Sequence, residues 1–116
     1  MTGIDTDWMA IASQKIRWSE ARQVEIARNI ANADTPGFQP RDTVSFEDYL
    51  NDSLGRSEAV RTTELKGGWG SSYDGNGVVL EEQTILSSET EGQHRMAVEL
   101  YRKAHDLLLL AGSANK

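Results

Sequence analysis

An all-α fold is predicted, with long N-terminal and C-terminal helices pairing as a coiled coil around an irregular, partly extended middle segment. Two observations predict it. Apolar residues recur at helical spacing over residues 5–33 and again over 78–113, and the stretch between them holds both prolines and most of the ten glycines. A 3.6-residue period marks amphipathic helix, whereas clustered glycine and proline mark turns and loops. All 116 residues are expected to form one unit.

In the first helix, Met9, Ala12, Ile16, Val24, Ala27, Ile30 and Ala31 fall near one face. Ile4, Trp8, Ile11 and Trp18 form a second line that widens this face toward the N-terminal half, while Ser19, Glu20 and Gln23 interrupt its middle. Proline is absent before Pro36, and Asp5 and Asp7 sit where the helix dipole favours negative charge.

The run Asn29-Ile30-Ala31-Asn32-Ala33-Asp34-Thr35-Pro36-Gly37-Phe38 ends that helix. Asn32 suits the left-handed conformation of a helix C-terminus, and Thr35 is driven toward extended backbone by the proline after it. Pro36-Gly37 fits the centre of a type II turn, with glycine taking the positive φ. The chain therefore leaves the helix in a fixed direction, which sets where Phe38 points.

In the middle segment, residues 34–77, the stretch 44–50 reads as a short helical or extended piece anchored by Phe46, Tyr49 and Leu50. Glycine density makes residues 66–77 a loop, because ordering so many glycines costs backbone entropy. Asn76 is a candidate N-cap for the last helix. There, Val79, Leu86, Leu100 and Leu107 share a seven-residue frame, and Ala97, Ala104 and Ala111 share another. Small residues beside leucines suit knobs-into-holes packing. Acidic residues lead and basic residues follow along this helix, in keeping with its dipole. Glu91–Arg95 and Glu99–Lys103 have the spacing of stabilising i,i+4 pairs. The two helices would run about 42 and 50 Å at 1.5 Å per residue.

Composition narrows the function classes. Hydrophobic residues make up 38% and aromatics 7%, which is lean for a small domain that buries a low fraction of its surface. Such a chain fits apolar stripes covered partly by neighbouring molecules. The net charge of −6 is spread along the sequence without a basic stripe, so nucleic-acid binding is not expected. Cysteine is absent, which removes thiolate chemistry and disulfides. Charged residues throughout the first thirty exclude the apolar core of a cleavable signal peptide, and the Leu107–Ala111 run is too short to span a bilayer.

Candidate chemistry is thin, and no catalytic, cofactor-binding or metal site is expected. His94 and His105 lack partners at i+4, and no cysteine completes a zinc set. Gly67-Gly68-Trp69-Gly70 lacks the Gly-Lys-Ser/Thr ending of a phosphate loop. Asp74-Gly75-Asn76-Gly77 opens like a calcium loop, but Val78 and Ile85 occupy positions where ligands belong. No Ser–His–acid constellation is readable. Trp8 and Trp69 are candidate intersubunit anchors, and Trp18 reads as core.

The run from Asn29 to Phe38 resembles the N-terminal signature of the flagellar axial proteins, the family that builds the bacterial rod, hook and filament junctions. The short chain and the entry Asp74-Gly75-Asn76-Gly77-Val78-Val79-Leu80-Glu81-Glu82-Gln83 into the last helix are most similar to its proximal rod subunits. The resemblance implies a structural subunit of the periplasmic basal-body rod, exported through the flagellar type III apparatus without cleavage. The implied partners are other rod proteins, the membrane-ring junction, the export gate and further copies of the chain, with no small-molecule substrate or cofactor. Helix pairing and subunit contact are expected to fall to Trp8, Met9, Ile16, Val24, Ala27, Val79, Leu86, Ala97, Leu100, Ala104, Leu107 and Ala111, and further contact to the 35–38 turn with Phe46 and Tyr49. A cytosolic helical adaptor or secretion chaperone is the alternative.

Overall fold

The architecture is a computed structural model that describes residues 3–53, 59–65 and 77–114. Helix α1 (Gly3–Ala31) and helix α3 (Leu80–Ala114) pack side by side. Between them in sequence lie β1 (Arg41–Thr43), α2 (Phe46–Ser53) and β2 (Thr62–Glu64). The fold is mostly helical, and the small sheet makes the all-α expectation an approximation. The molecule measures 67 × 24 × 17 Å with a radius of gyration of 18.0 Å. A compact chain of this length has a radius near ~13 Å, so this one is a rod in its own right.

Strands β1 and β2 pair antiparallel, with Arg41 opposite Glu64 and Thr43 opposite Thr62. Two further bonds, Val44 N–H to the Arg61 carbonyl and Leu65 N–H to the Pro40 carbonyl, extend the ladder at both ends. The stretch 44–50, which its sequence allows as helix or strand, is helix from Phe46 onward. Its start is fixed by Ser45, whose hydroxyl accepts the Asp48 N–H at 3.1 Å in the manner of an N-cap. Glu47 and Asp48 in its first turn suit the positive end of the helix dipole.

The buried interior is small: Ala12, Trp18, Ile26, Tyr49, Ala97 and Ala104 are its fully buried apolar residues among those described. Beside them lie Ser19, Asn29, Ser53, Gln83 and Thr90, which are equally buried and polar. In α3 the buried positions Gln83, Thr90, Ala97 and Ala104 recur every seven residues, as a coiled-coil seam requires. The α1 side repeats likewise through Ala12, Ser19 and Ile26. In the frame of Val79, Leu86, Leu100 and Leu107, the first two are half-buried and the two leucines toward the C-terminus are exposed.

Candidate assembly interface

The run expected to end the first helix is a two-sided fastening. Asn29, at 1% exposure, donates from Nδ2 to the Arg41 carbonyl (2.8 Å) and to Gln83 Oε1 (3.0 Å), while its Oδ1 accepts the Arg41 N–H (3.0 Å). One amide side chain therefore ties α1 to β1 and α3 together. Asn32 closes the helix by donating from its backbone N–H (3.1 Å) and from Nδ2 (2.9 Å) to the Arg28 carbonyl. Its own Oδ1 accepts the Thr35 hydroxyl at 3.1 Å. The Phe38 N–H reaches the Thr35 carbonyl at 3.2 Å, and Gly37 sits at φ 75°, as a type II turn demands. Ile30, Ala31, Asp34, Thr35, Pro36 and Gly37 are exposed, and Ala33 and Phe38 are half-buried.

Beyond the turn, the chain runs against the entry to α3. Gly77 N–H bonds the Phe38 carbonyl at 3.0 Å, and a Cβ on Gly77 would meet Pro40 Cδ at 3.0 Å. A side chain at position 77 would therefore press on the Pro40 ring, which would have to give way by a few tenths of an ångström. Asn76, the expected cap, Trp69 and the glycine-rich loop lie outside the described residues. The first intrahelical acceptor described for α3 is the Val79 carbonyl, bonded by Gln83 N–H at 3.0 Å.

A second fastening joins α1 to the sheet. Arg22 donates from Nε and Nη2 to the two oxygens of Asp42, each at 3.0 Å, and both side chains are mostly buried. This fork-on-carboxylate geometry is among the stronger charge-assisted pairings. Asp42 Oδ1 also accepts the Thr43 N–H, and Trp18 Nε1 donates to the Val44 carbonyl at 2.7 Å. Gln14 Nε2 donates to Ser53 Oγ at 2.9 Å and holds the end of α2. An ion pair between Arg61 and Asp52 links that helix to β2, and the Asp52 carboxylate raises the Arg61 pKa further.

The α1–α3 seam is polar where sequence reading placed an interruption. Gln23 Nε2 donates to the Ser87 carbonyl at 3.0 Å, and the Ser87 hydroxyl returns a bond to Gln23 Oε1 at 3.3 Å. Ser19 Oγ lies 2.9 Å from both the Ile16 carbonyl and His94 Nδ1. A serine has one proton to donate, and given to Ile16 it leaves Ser19 to accept from His94 Nδ1–H. A serine and a histidine this close resemble a nucleophile and its base. Ser19, however, has no exposed surface, so no substrate carbonyl can reach its oxygen.

The residues expected to serve helix pairing and subunit contact divide accordingly. Ala97 and Ala104 are buried in the seam, and Met9, Ile16, Val79 and Leu86 lie half-buried. Trp8, Val24, Ala27, Leu100, Leu107 and Ala111 face solvent. Tyr49 corrects the expectation of outward contact, since it is 2% exposed and packs inside its own chain beside Phe46. Glu91 pairs with Arg95 at 3.1 Å, whereas Glu99 and Lys103 form no ion pair among the described residues. Sequence reading passed over Gln83, Thr90 and His94 as seam residues. The seven-residue spacing of Gln83, Thr90, Ala97 and Ala104 was the available signal, hidden because two of the four are polar.

Outward-facing apolar side chains are correspondingly numerous. Trp8, Ile11, Val24, Ile30, Leu80, Ile85, Met96, Leu107, Leu109 and Leu110 all expose more than two-fifths of their surface. Isolated exposed leucines are ordinary, but this density on a short chain makes these faces candidate contact surfaces. One groove of about 500 Å³ opens between α1 and α3 beside the start of α2. Ile11, Ala12, Met96, Ala97 and Leu100 form its apolar lining, with Lys15, Phe46, Gln93, Glu99 and Lys103 around it. The Lys15 ammonium lies 4.4 Å from the Trp18 ring centre and 4.3 Å from that of Phe46. Burial, and then the charge of Arg22, lower its pKa from the usual lysine value. No helix among the described residues is long and apolar enough to cross a membrane.

A long helix pair, fastened at one end and carrying exposed large apolar side chains, makes this an elongated helical protein. The chain resembles the flagellar basal body rod protein FlgB of Agrobacterium fabrum, with 27% identity over 118 aligned residues. That similarity covers 86% of this chain and 88% of the relative, so it extends well past the 29–38 run. No protein-family model matches the sequence.

Proposed function

We propose that this chain is a structural subunit of a bacterial flagellar basal-body rod. The observation that carries the reading is the inverted distribution of polarity. Apart from Ile26, the fully buried seven-residue repeats where the two long helices meet are polar or small, and many large apolar side chains are left facing outward. Similarity to a rod protein over most of the chain supports the same reading.

In the rod, outward faces of one subunit pack on different faces of the next, a heterologous contact that generates a helical array. The array forms the proximal drive shaft and transmits torque through the stiffness of its paired helices. Its neighbours are other rod proteins, the membrane-ring junction and the export gate. The chain travels to its site by type III export without cleavage and catalyses no reaction there.

The test is location. A tagged chain is expected in purified basal bodies, with the mass of the uncleaved polypeptide, and its deletion is expected to abolish motility. Recovery in soluble cytoplasm alone, with motility intact, would replace the rod by an adaptor or secretion chaperone.

A further inference from the structure

Two surface features of this molecule complement one another and belong to different residues. The first is the groove around Lys15, which carries two lysines against the single carboxylate of Glu99 in a chain of net charge −6. Its principal cation is held between the Trp18 and Phe46 rings, and among the described residues it has no carboxylate partner. The groove also buries Gln93 Oε1 without a hydrogen-bond donor among the described residues. The second feature is the outer face at the start of α3. There Leu80 is 50% and Ile85 54% exposed, around Thr84 and the carboxylate of Glu81, which has no ion-pair partner among the described residues.

We infer that the first turns of α3 in one copy, carrying Leu80, Glu81 and Ile85, dock into the Lys15 groove of a second copy. The aliphatic pair enters the apolar lining formed by Ile11, Met96 and Leu100, as amphipathic helices enter grooves generally. The Glu81 carboxylate meets the Lys15 ammonium. Burial and Arg22 disfavour that cation in the free subunit, and an incoming carboxylate reverses the imbalance.

The two patches share no residue, so a head-to-tail contact leaves each copy one patch free for the next, whereas a two-fold pair would use both patches at once. From Thr84 to Met96 along α3 is about 18 Å at 1.5 Å per residue, so one chain cannot bridge its own two patches. This inference rests on the rod reading for its setting, although the contact itself can be measured without a rod.

The absence of cysteine makes the test clean. Thr84→Cys and Met96→Cys are made in separate full-length chains, which are mixed and oxidised, and the same pair is co-expressed and oxidised within isolated basal bodies. A disulfide between the two variants is expected in both settings, with neither variant linking to itself. Lys15→Glu in the Met96→Cys chain is expected to lower that yield at least tenfold. Adding Glu81→Lys to the Thr84→Cys chain restores it, and Lys15→Arg retains it. Helicity by circular dichroism is recorded for every variant, and the charge-swap rescue separates lost contact from lost fold.

The inference is overturned if the chain is present in basal bodies yet the 84–96 link does not form, if 84–84 or 96–96 links form instead, or if Met96→Cys is captured only by another rod protein. The rod reading survives each of those outcomes. Conversely, an 84–96 link in mixed pure chains, with no chain in basal bodies, supports the contact and removes the rod.

Discussion

The two ends of the helix pair are built on opposite principles. Near the C-terminal end of α1, Asn29, Arg22 and Gln23 reach across to β1 and α3 through defined hydrogen bonds, and the sheet and Gly77 brace the junction. At the other end, beyond Ala12 and Ala104, Trp8, Leu107, Leu109 and Leu110 stand in solvent. Hydrogen bonds are directional and fix one geometry, whereas apolar side chains accept any complementary surface. The braced end therefore specifies the chain's own shape, and the open end keeps apolar surface exposed, which the proposed rod would bury against a neighbour.

The sharpest way to break this contrast is at Asn29. Asn29→Ala removes two donors and one acceptor, stranding Gln83 Oε1 and both backbone groups of Arg41. Such stranding costs about 3 kcal/mol in total, seen as a lower urea midpoint with little change in slope. Asp42→Ala strips the Arg22 fork of its carboxylate and leaves the guanidinium against Trp18, 5.2 Å from the ring centre. The expected loss is about 2 kcal/mol, measured the same way. Gly37→Ala meets no neighbouring atom, so its penalty is purely that of an L-residue at positive φ. That is about 1 kcal/mol, a shift of several degrees in Tm.

At the open end, Leu109→Ser and Leu110→Ser should change the subunit's own stability by less than about 0.5 kcal/mol. The same pair is expected to reduce incorporation into basal bodies, scored by quantitative blotting. Equal stability losses at both ends would erase the distinction. Hydrogen exchange sharpens it without mutation: amides around residues 22–29 and 83–94 should exchange most slowly, and those beyond residue 104 fastest.

The element order was largely legible in the chain. Helical period, the Asn29-to-Phe38 punctuation and glycine clustering located both long helices and the turn between α1 and the sheet. Those signals are local, and local geometry such as the positive φ of Gly37 follows from a few adjacent residues. The candidate interface was legible only in outline. Val24, Ala27, Leu100 and Leu107 were grouped for helix pairing and subunit contact together, because periodicity identifies an apolar face without saying which molecule covers it.

What the sequence determined by itself was therefore where helices run, where they stop, and that an apolar stripe runs along each of the two long ones. Only the tertiary structure decided that Ser19, Gln23, Gln83 and Thr90 form the seam, that Tyr49 turns inward, and that Lys15 stands between two rings beside an open groove. The physical reason is pairing. A buried amide or hydroxyl is acceptable only when a specific partner from a distant part of the chain satisfies it, and that partner is invisible until the chain has folded.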